Sequence, residues 1–176
     1  MEIINLKVGM LKTNCYILKK NNKILIIDPG DEYYKIDDYI KENELEGILI
    51  THNHFDHTGA LNQILKNYNT KVYDKSSLQE GPCTIKDFSF EVIYTPGHTS
   101  DSITFYFKEE KSMFDGDFIF KDGLGRCDLP TGNEEALVKS IKKIKKYPKE
   151  TTIYPGHGEP TTLEDEEKFN EYFKYC

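Results

Sequence analysis

The residues best suited to chemistry in this chain are its five histidines, which all fall in short turn-like segments. They are His52, His54 and His57 in THNHFDHTG, His98 in TPGHTSDS, and His157 in YPGHGEP. The first segment follows directly after the apolar run at 47–50, and Asp56 adds a carboxylate to it. Because clustered donors indicate a ligand set more strongly than a lone histidine does, these segments predict a metal site.

The donor types restrict the metals that such a site would hold. Imidazole and carboxylate suit zinc, iron or manganese, whereas soft ions would require thiolates, which these segments lack. Side chains two apart on an extended chain share a face, so His52 and His54 are expected to point the same way. Asp56 and His57 follow on the turn, close enough to serve a second ion. The alternative interpretation is a polar loop whose histidines cap the next helix.

Length and charge exclude several classes of protein. A chain of 176 residues suits a single domain spanning 1–176. The 30 acidic residues outnumber the 23 basic ones and give a net charge of -7, which opposes binding to nucleic acid. No apolar stretch is long enough to cross a bilayer, and the N-terminus lacks the features of a secretory signal. We therefore expect a cytoplasmic protein with no membrane partner; the sequence does not indicate its oligomeric state.

The four cysteines are Cys15, Cys83, Cys127 and Cys176. They are far apart and form no C-x-x-C pair, so they predict neither a zinc knuckle nor a disulfide framework. We interpret them as reduced thiols. Cys127 lies in a loop expected near the site, but a nucleophilic role would need a neighbouring base, and every histidine is already assigned.

Strand-like and helix-like segments alternate along the whole chain. Strands are predicted over 2–8, 13–20, 23–28, 46–51, 70–74, 85–95, 102–108, 111–116 and 151–155. Helices are predicted over 34–43, 58–67, 134–146 and 163–174. The glycines and prolines of 118–132 predict a loop. Two groups of strands with helices outside them favour a layered α/β sandwich, and each candidate ligand follows a strand.

Five motifs, in this order along the chain, resemble those of the metallo-β-lactamase fold superfamily. They are the IDPG turn with Asp28, THNHFDHTG, GHTSDS, FDGDFIF with Asp117, and PGHGEPT. The resemblance covers most of the chain. It implies an α/β fold, the four-layer αββα sandwich, with a metal site at one edge between the two sheets.

The resemblance also implies a role for each donor. His52, His54 and His98 would hold a first metal ion, Asp56, His57 and His157 a second, and Asp117 would bridge the two. Asp115 is the competing carboxylate in FDGD, but it resembles a turn residue, since the family's aspartate follows glycine and precedes an aromatic residue. Asp28 resembles the carboxylate that holds a ligand imidazole or a backbone turn in place.

The loop GLGRCDLPTG narrows the resemblance to a subgroup. It is similar to the GRxD segment of the glyoxalase II-like hydrolases and of the related persulfide dioxygenases. Arg126 would either pair with Asp128 and shape the loop, or bind a carboxylate of the substrate through its planar fork. The chain departs from the pattern in two places: it ends soon after PGHGEPT, without the helical domain that binds glutathione in larger glyoxalase II enzymes, and Ser100-Asp101 replaces Pro-Gly.

The reaction implied by the resemblance is hydrolysis of a small thioester of the S-acyl-glutathione type. The nucleophile would be a hydroxide that bridges two divalent ions, with zinc favoured and iron or manganese as alternatives. Asp56 or Asp117 would accept the proton released when the intermediate collapses. The expected partner is a small acyl-thiol molecule.

Three other functions stay open. An iron-dependent persulfide dioxygenase would use His52, His98 and Asp117 as a two-histidine, one-carboxylate face. Other hydrolases of the superfamily act on lactones or other esters. A non-catalytic metal-binding module is the third alternative, although a structural zinc site is usually a closed centre with four ligands.

Overall fold

The structure is a computed structural model that describes residues 1–174, so the predicted thiol Cys176 lies outside the described residues. The strands are β1 (Glu2–Val8), β2 (Thr13–Lys20), β3 (Lys23–Ile27), β4 (Glu44–Leu49), β5 (Val72–Tyr73), β6 (Gly81–Ile85), β7 (Phe88–Tyr94), β8 (Ile103–Phe107), β9 (Ser112–Gly116), β10 (Ile119–Phe120), β11 (Gly123–Leu124), β12 (Thr152–Pro155) and β13 (Thr161–Thr162). The helices are α1 (Tyr33–Glu42), α2 (Phe55–Thr58), α3 (Leu61–Asn67), α4 (Glu134–Ile144), α5 (Leu163–Phe169) and α6 (Glu171–Lys174).

The strands form two large sheets and one small hairpin. The first sheet has the order β1-β2-β3-β4-β5 and the second the order β13-β12-β9-β8-β7-β6, while β10 pairs with β11. Parallel pairs join β3 to β4, β4 to β5, and β12 to β9. Those parallel pairs require crossover connections, which α1, α3 and α4 supply.

Alternating side chains on the central strands build the layers. On β2, Tyr16 and Leu18 belong to the core between the two sheets, together with Phe105 and Phe114 of the second sheet. Cys15 lies on the opposite face of β2, in a separate core. This alternation follows from the two-residue period of a strand, and it shows that β2 is buried on both faces.

Helices cover the outer face of each sheet. Ile36 and Ile40 of α1 and Ile64 of α3 pack with the outward-facing residues of the first sheet. On the second sheet, α4 packs through an apolar face that includes Leu137 and Ile141. The layers are therefore helix, sheet, sheet and helix, and the predicted αββα sandwich is confirmed. Among residues 1–174, every helix is too short or too polar to span a lipid bilayer.

The predicted helix over 163–174 is wrong in its middle. Asn170 ends α5 in a non-helical conformation, with ψ 109°. Its buried side chain donates to the carbonyl of Gly123 at 3.0 Å and to Glu166 at 2.7 Å, and it accepts from the backbone N–H of Tyr172 at 3.0 Å. Asparagine competes in this way with helical hydrogen bonds, so a second short helix begins after it.

Other predicted elements need smaller corrections. The strand predicted over 85–95 corresponds to β7, which forms a hairpin with β6, a strand that was not predicted; Lys86, at φ 50°, lies in the turn between them. Pro82 obscured β6, but this strand lies at the sheet edge, where proline is tolerated. The loop predicted over 118–132 contains the β10–β11 hairpin. The helix predicted over 58–67 corresponds to α3, which begins three residues later, and the short helix α2 that precedes it was not predicted.

A buried carboxylate ties α1 to the end of α3. Asp37 Oδ1 accepts hydrogen bonds from the hydroxyls of Tyr33 at 2.7 Å and Tyr68 at 2.6 Å, and its Oδ2 lies 2.5 Å from Lys41 Nζ. These interactions, that of Lys41 first, lower the pKa of Asp37 to about 2. The ionised carboxylate therefore stabilises the packing of two helices on the first sheet.

We expect Asp37→Asn to lower the free energy of unfolding by about 1–2 kcal/mol at pH 7, because its hydrogen bonds would no longer be made to a charged group. Since folding depresses the pKa of Asp37, the difference from the wild type should be full above pH ~4 and should vanish as the pH falls through about 2. Urea unfolding at several pH values measures it. Asp38→Asn, at an exposed position on the same helix, is the matched control. An equal loss of stability in Asp38→Asn would contradict the proposed role of the Asp37 carboxylate.

Candidate metal centre

The predicted donors meet at one edge of the sandwich, where several strands end. Four of them lie just beyond β4: His52 and His54 are on the loop that leads into α2, and Asp56 and His57 are within α2 itself. The remaining donors follow β7, β9 and β12, and they are His98, Asp117 and His157 respectively. Each donor segment follows a strand that is held in a sheet, so the donors converge although they are distant in sequence.

Three of the histidines form a compact cluster. His54 Nδ1 lies 3.1 Å from His52 Nε2 and 3.0 Å from His98 Nε2. The extended backbone at His54, with φ -70° and ψ 149°, directs its ring to the same side as that of His52, as the sequence predicted. We refer to His52, His54 and His98 as the three-histidine group.

A second cluster lies beside it. His157 Nε2 is 3.1 Å from Asp56 Oδ2, and His57 Nε2 is 3.6 Å from the same oxygen. One donor atom from each of these three residues lies within 4.8 Å of the others. We refer to Asp56, His57 and His157 as the mixed group.

Asp117 lies between the two groups. Its Oδ1 is 3.3 Å from His57 Nε2, and its Oδ2 is 3.6 Å from His157 Nε2 and 3.7 Å from His98 Nε2. Asp115, the competing carboxylate, is buried and accepts the backbone N–H of Ile119 at 3.0 Å. The structure thus brings Asp117 to the donors and uses Asp115 to hold the turn that carries it.

Hydrogen bonds on the far side of each ring set its orientation. Nδ1 of His98 donates to the carbonyl of Arg126 at 2.7 Å, and Nδ1 of His157 donates to that of Leu11 at 3.2 Å. A carbonyl can only accept, so each Nδ1 carries a proton, and in the neutral ring each Nε2 then presents a lone pair to the site. Hydrogen bonds of this kind orient imidazole ligands in metal sites.

Asp28 fixes two further rings. Its Oδ2 accepts from His57 Nδ1 at 2.9 Å and from the hydroxyl of Thr51 at 2.6 Å, and its Oδ1 accepts the N–H of Thr51 at 2.8 Å. Since the hydroxyl proton of Thr51 is given to Asp28, its oxygen must accept from His52 Nδ1, 3.1 Å away. Asp28 is therefore in contact with the mixed group directly and with the three-histidine group through Thr51.

The position of Asp28 is held in an unusual backbone conformation. Its φ is 51°, in the left-handed region that aspartate and asparagine tolerate better than most residues. Its side chain is 2% exposed. Strain of this kind persists where the surroundings over-determine the residue, and here the hydrogen bonds to Thr51 and His57 do so.

Burial favours the neutral forms of His52 and His54. Burial, and after it the charge of His57, lowers the pKa of His52 to about 2. Burial and the neighbouring His98 also lower the pKa of His54. Neutral imidazoles have the lone pairs that metal ligation requires.

The carboxylates favour positive charge around the mixed group. Burial alone would lower the pKa of His57, but Asp28 and Asp117 raise it to about 10. Burial opposes the ionisation of Asp117, but His57 holds the pKa of this carboxyl below its usual value. The pKa of His157 is raised, chiefly by its hydrogen bond to Asp56. The raised pKa values of the two histidines have one cause, which is that carboxylate oxygens face this part of the site.

Two buried polar atoms indicate whether the site can hold cations. His57 Nε2 and Asp117 Oδ1 have no hydrogen-bond partner among the described residues. An unpaired buried polar atom costs free energy, so such an atom in a folded protein needs an explanation. Divalent ions among these nitrogens and oxygens would satisfy both atoms, and the donor types suit zinc, iron or manganese. The residues present therefore fit the ions that the sequence predicted.

Gly156 makes room for this arrangement. A Cβ at this position would lie 2.4 Å from Asp117 Oδ1 and 2.6 Å from His57 Cε1. Any side chain there would therefore occupy the space in which the two donors face each other. The glycine of the PGHG turn is required by close approach to the centre.

Arg126 pairs with Asp128, as one of the two interpretations of the loop predicted. Its Nε and Nη2 donate to the two carboxylate oxygens, each at 2.6 Å, and both side chains are more than 60% exposed. The carbonyl of Arg126, rather than its side chain, contacts His98. A role for the guanidinium in binding substrate stays a prediction.

Sequence reasoning missed several residues that support the donors. Asn53 donates through its backbone and its side chain to Asp101 Oδ2, at 3.1 and 2.7 Å, which joins two of the ligand loops. Thr13 donates to Asp56 Oδ2 at 2.9 Å. The replacement of Pro-Gly by Ser100-Asp101 was the available signal for the first contact; the second had no distinguishing pattern.

The family model of the metallo-beta-lactamase superfamily matches residues 8–79 and 75–157. The chain belongs to this superfamily and is a metallo-hydrolase of it. The resemblance proposed from the five motifs is therefore confirmed.

A relative and two solved structures match nearly the whole chain. "Hydroxyacylglutathione hydrolase GloC" of Haemophilus influenzae is 30% identical, over 98% of this chain and 98% of its own. The crystal structure of BLEG-1 B3 metallo-beta-lactamase has a TM-score of 0.94 at 28% identity, covering 98% of this chain and 99% of its own. TTHA1623 in a di-iron-bound form has a TM-score of 0.88 at 30% identity, covering 96% and 99%.

The substitution Asp28→Asn tests whether the carboxylate of Asp28 supports metal binding through its hydrogen bonds to His57 and Thr51. The variant keeps the size of the side chain and its tolerance of the left-handed backbone, but its neutral amide cannot accept all three hydrogen bonds. We expect metal affinity to fall about 10–100-fold, the usual effect of losing an outer partner of a ligand. A competition titration with a chromogenic chelator measures it. Asp38→Asn is again the control; wild-type affinity in Asp28→Asn would contradict the role of this carboxylate.

Proposed function

We propose that this protein hydrolyses small thioesters of the S-acyl-glutathione type with two divalent metal ions. The observation that carries the proposal is the convergence of two complete donor groups on Asp117 at an open edge of the fold. The similarity to "Hydroxyacylglutathione hydrolase GloC" over almost the full length of both chains supports this substrate class. So does the resemblance of the GLGRCDLPTG loop to the glyoxalase II-like hydrolases.

The proposed site is accessible from one side. The side chains of His52 and His57 are buried, whereas those of Asp56 and His157 are 14% and 27% exposed. A thioester would therefore approach over Asp56 and His157. The carbonyl carbon would come to rest near Asp117, between the two groups, with the acyl and thiol parts extending toward solvent.

Bound divalent ions would supply a Lewis acid for the thioester carbonyl and a lowered pKa for water, to about 7. The protein's own part is to hold the donors and to move protons. Asp56 accepts a hydrogen bond from the hydroxyl of Thr13 and lies beside His157. Burial alone would raise the pKa of Asp56, but these interactions keep it below the usual value. Its carboxylate is therefore ionised at pH 7 and available to accept the proton released as the intermediate collapses.

Zinc is the proposed metal, with iron or manganese as alternatives. The mixture of imidazole and carboxylate donors suits all three. TTHA1623, which has been solved in a di-iron-bound form, is a reason to measure iron as well as zinc.

We expect His54→Ala and Asp117→Ala to lower the rate of S-lactoylglutathione hydrolysis by about 10³-fold or more, while near-UV circular dichroism shows the fold retained. Each change removes a donor that no neighbour replaces. Glu159→Gln is the matched control, because Glu159 is an exposed acid two residues from His157, paired with Lys7 at the surface. Activity that survives in either alanine variant would exclude the metal mechanism.

The assay panel separates the remaining functions. Metal analysis and rates on S-lactoylglutathione are compared with rates on a lactone and a β-lactam, and with oxygen consumption on glutathione persulfide. A single iron with oxygen consumption would identify a persulfide dioxygenase. Hydrolysis of the lactone or the β-lactam in preference to the thioester would identify another hydrolase of the superfamily.

Arg126 is proposed to bind the anionic end of the thiol. Its guanidinium has N–H groups beyond the two given to Asp128, and these can meet a carboxylate. We expect Arg126→Ala to raise the KM for S-lactoylglutathione about tenfold, the size of one hydrogen bond to a charged group. The KM for an uncharged N-acetylcysteamine thioester should not change. An equal change for both substrates would show that the Arg126–Asp128 pair only shapes the loop.

A further inference from the structure

The beginning of β2 and the turn before it contact the mixed group. Nδ1 of His157 donates to the carbonyl of Leu11 at 3.2 Å, and the hydroxyl of Thr13 donates to Asp56 Oδ2 at 2.9 Å. Two of the three members of the mixed group therefore depend on residues two apart in sequence. We call residues 11–16 the clamp segment.

The clamp segment also holds the turn that carries His157. Asn14 Nδ2 donates to the carbonyls of Pro155 at 2.9 Å and Gly158 at 3.0 Å, and the backbone N–H of Asn14 donates to Gly156 at 2.7 Å. The hydroxyl of Tyr16 donates to the same Pro155 carbonyl at 2.6 Å. These contacts cross from the first sheet to the end of β12 in the second.

The orientation of Asn14 is fully determined. Its Oδ1 accepts from Asn5 Nδ2 at 3.1 Å, so both of its own amide protons are directed at the His157 turn. Asn14 is completely buried, and Tyr16 is 2% exposed. Water cannot replace these hydrogen bonds without opening the structure, so their loss would move the turn.

Other elements support the three-histidine group. His98 is bonded to the carbonyl of Arg126, His52 to Thr51, and the segment between His52 and His54 is held by Asp101. Within residues 1–174, no hydrogen bond joins the clamp segment to the three-histidine group. The two groups thus have separate supports, apart from Asp28.

We propose that the clamp segment sets the affinity of the ion in the mixed group without affecting the ion in the three-histidine group. Thr13, Asn14 and Tyr16 act as positioning residues, through Asp56 and the His157 turn. This inference rests on the pair of ions in the proposed function. It predicts that, at zinc concentrations between the wild-type and the weakened dissociation constants of the mixed group, a clamp-segment variant holds a single ion where the wild type holds two.

The test is a zinc titration of metal-free protein against a chromogenic chelator, with no measurement of turnover. Thr13→Val removes one hydroxyl at nearly constant volume, and Asn14→Asp replaces the two amide donors with an oxygen that repels the carbonyls. In each, we expect one of two zinc ions to bind about 10–100-fold more weakly and the other to keep its affinity. Thr84→Val, which removes a hydroxyl on β6, is the matched control and should keep both affinities.

Two backgrounds identify the affected ion. His157→Ala disables the mixed group, and there the addition of Thr13→Val should not alter the affinity of the remaining ion. His54→Ala weakens the three-histidine group, and there the addition of Thr13→Val should weaken binding at the mixed group about 10–100-fold. Circular dichroism checks each fold; where Asn14→Asp does not fold, Thr13→Val decides.

Three outcomes would overturn the inference: equal weakening of both ions, an effect of Thr13→Val that persists in the His157→Ala background, or a wild-type protein that binds a single zinc ion. Failure of the proposed function would look different. A protein that shows the expected titrations but hydrolyses no thioester would contradict the proposed substrate and leave the role of the clamp segment intact.

Discussion

The structure depends on one electrostatic constraint, which is that nitrogen lone pairs and carboxylate oxygens face one another at a single edge of the fold. The far nitrogens of His98 and His157 donate to carbonyls, so in the neutral rings the near nitrogens are lone pairs that face the site. Asp117 adds oxygens between the two groups. Such an arrangement is repulsive unless positive charge lies within it. Without a metal ion, the raised pKa of His57 provides positive charge at this position.

The layered fold makes this arrangement possible because the apolar packing that stabilises the chain lies in different places from the polar donors that repel one another. Within the described part of the chain, three apolar cores fix the strands: one lies between the sheets and one under each helical layer. The donors lie just past the strand ends, on loops or in the short helix α2, and none of them belongs to those cores. Burial of apolar surface, the main favourable term in folding, can thus hold polar groups together that would otherwise move apart.

The sequence predicted the donors better than their supports, for a physical reason. Ligation needs particular side chains, so His52 and His54 could be recognised by type and spacing, and Asp117 by the resemblance of its motif. The groups that orient the rings are often main-chain carbonyls, such as those of Leu11 and Arg126, which any residue could supply. Likewise, the break in the last helix comes from the contact of Asn170 with Gly123, which is distant in sequence. Local patterns do not carry that information.

The supports of the two donor groups differ in a way that bears on reaction class. Asp28 serves both groups, through His57 and through Thr51, whereas the clamp segment serves only the mixed group. If the mixed group were loosened, His52, His98 and Asp117 would still face one another. Two histidines and a carboxylate with open positions are the ligand set of mononuclear iron oxygenases. Residues outside the ligand set could therefore determine whether one fold presents a two-ion hydrolytic site or a one-ion oxidative site, with every ligand unchanged.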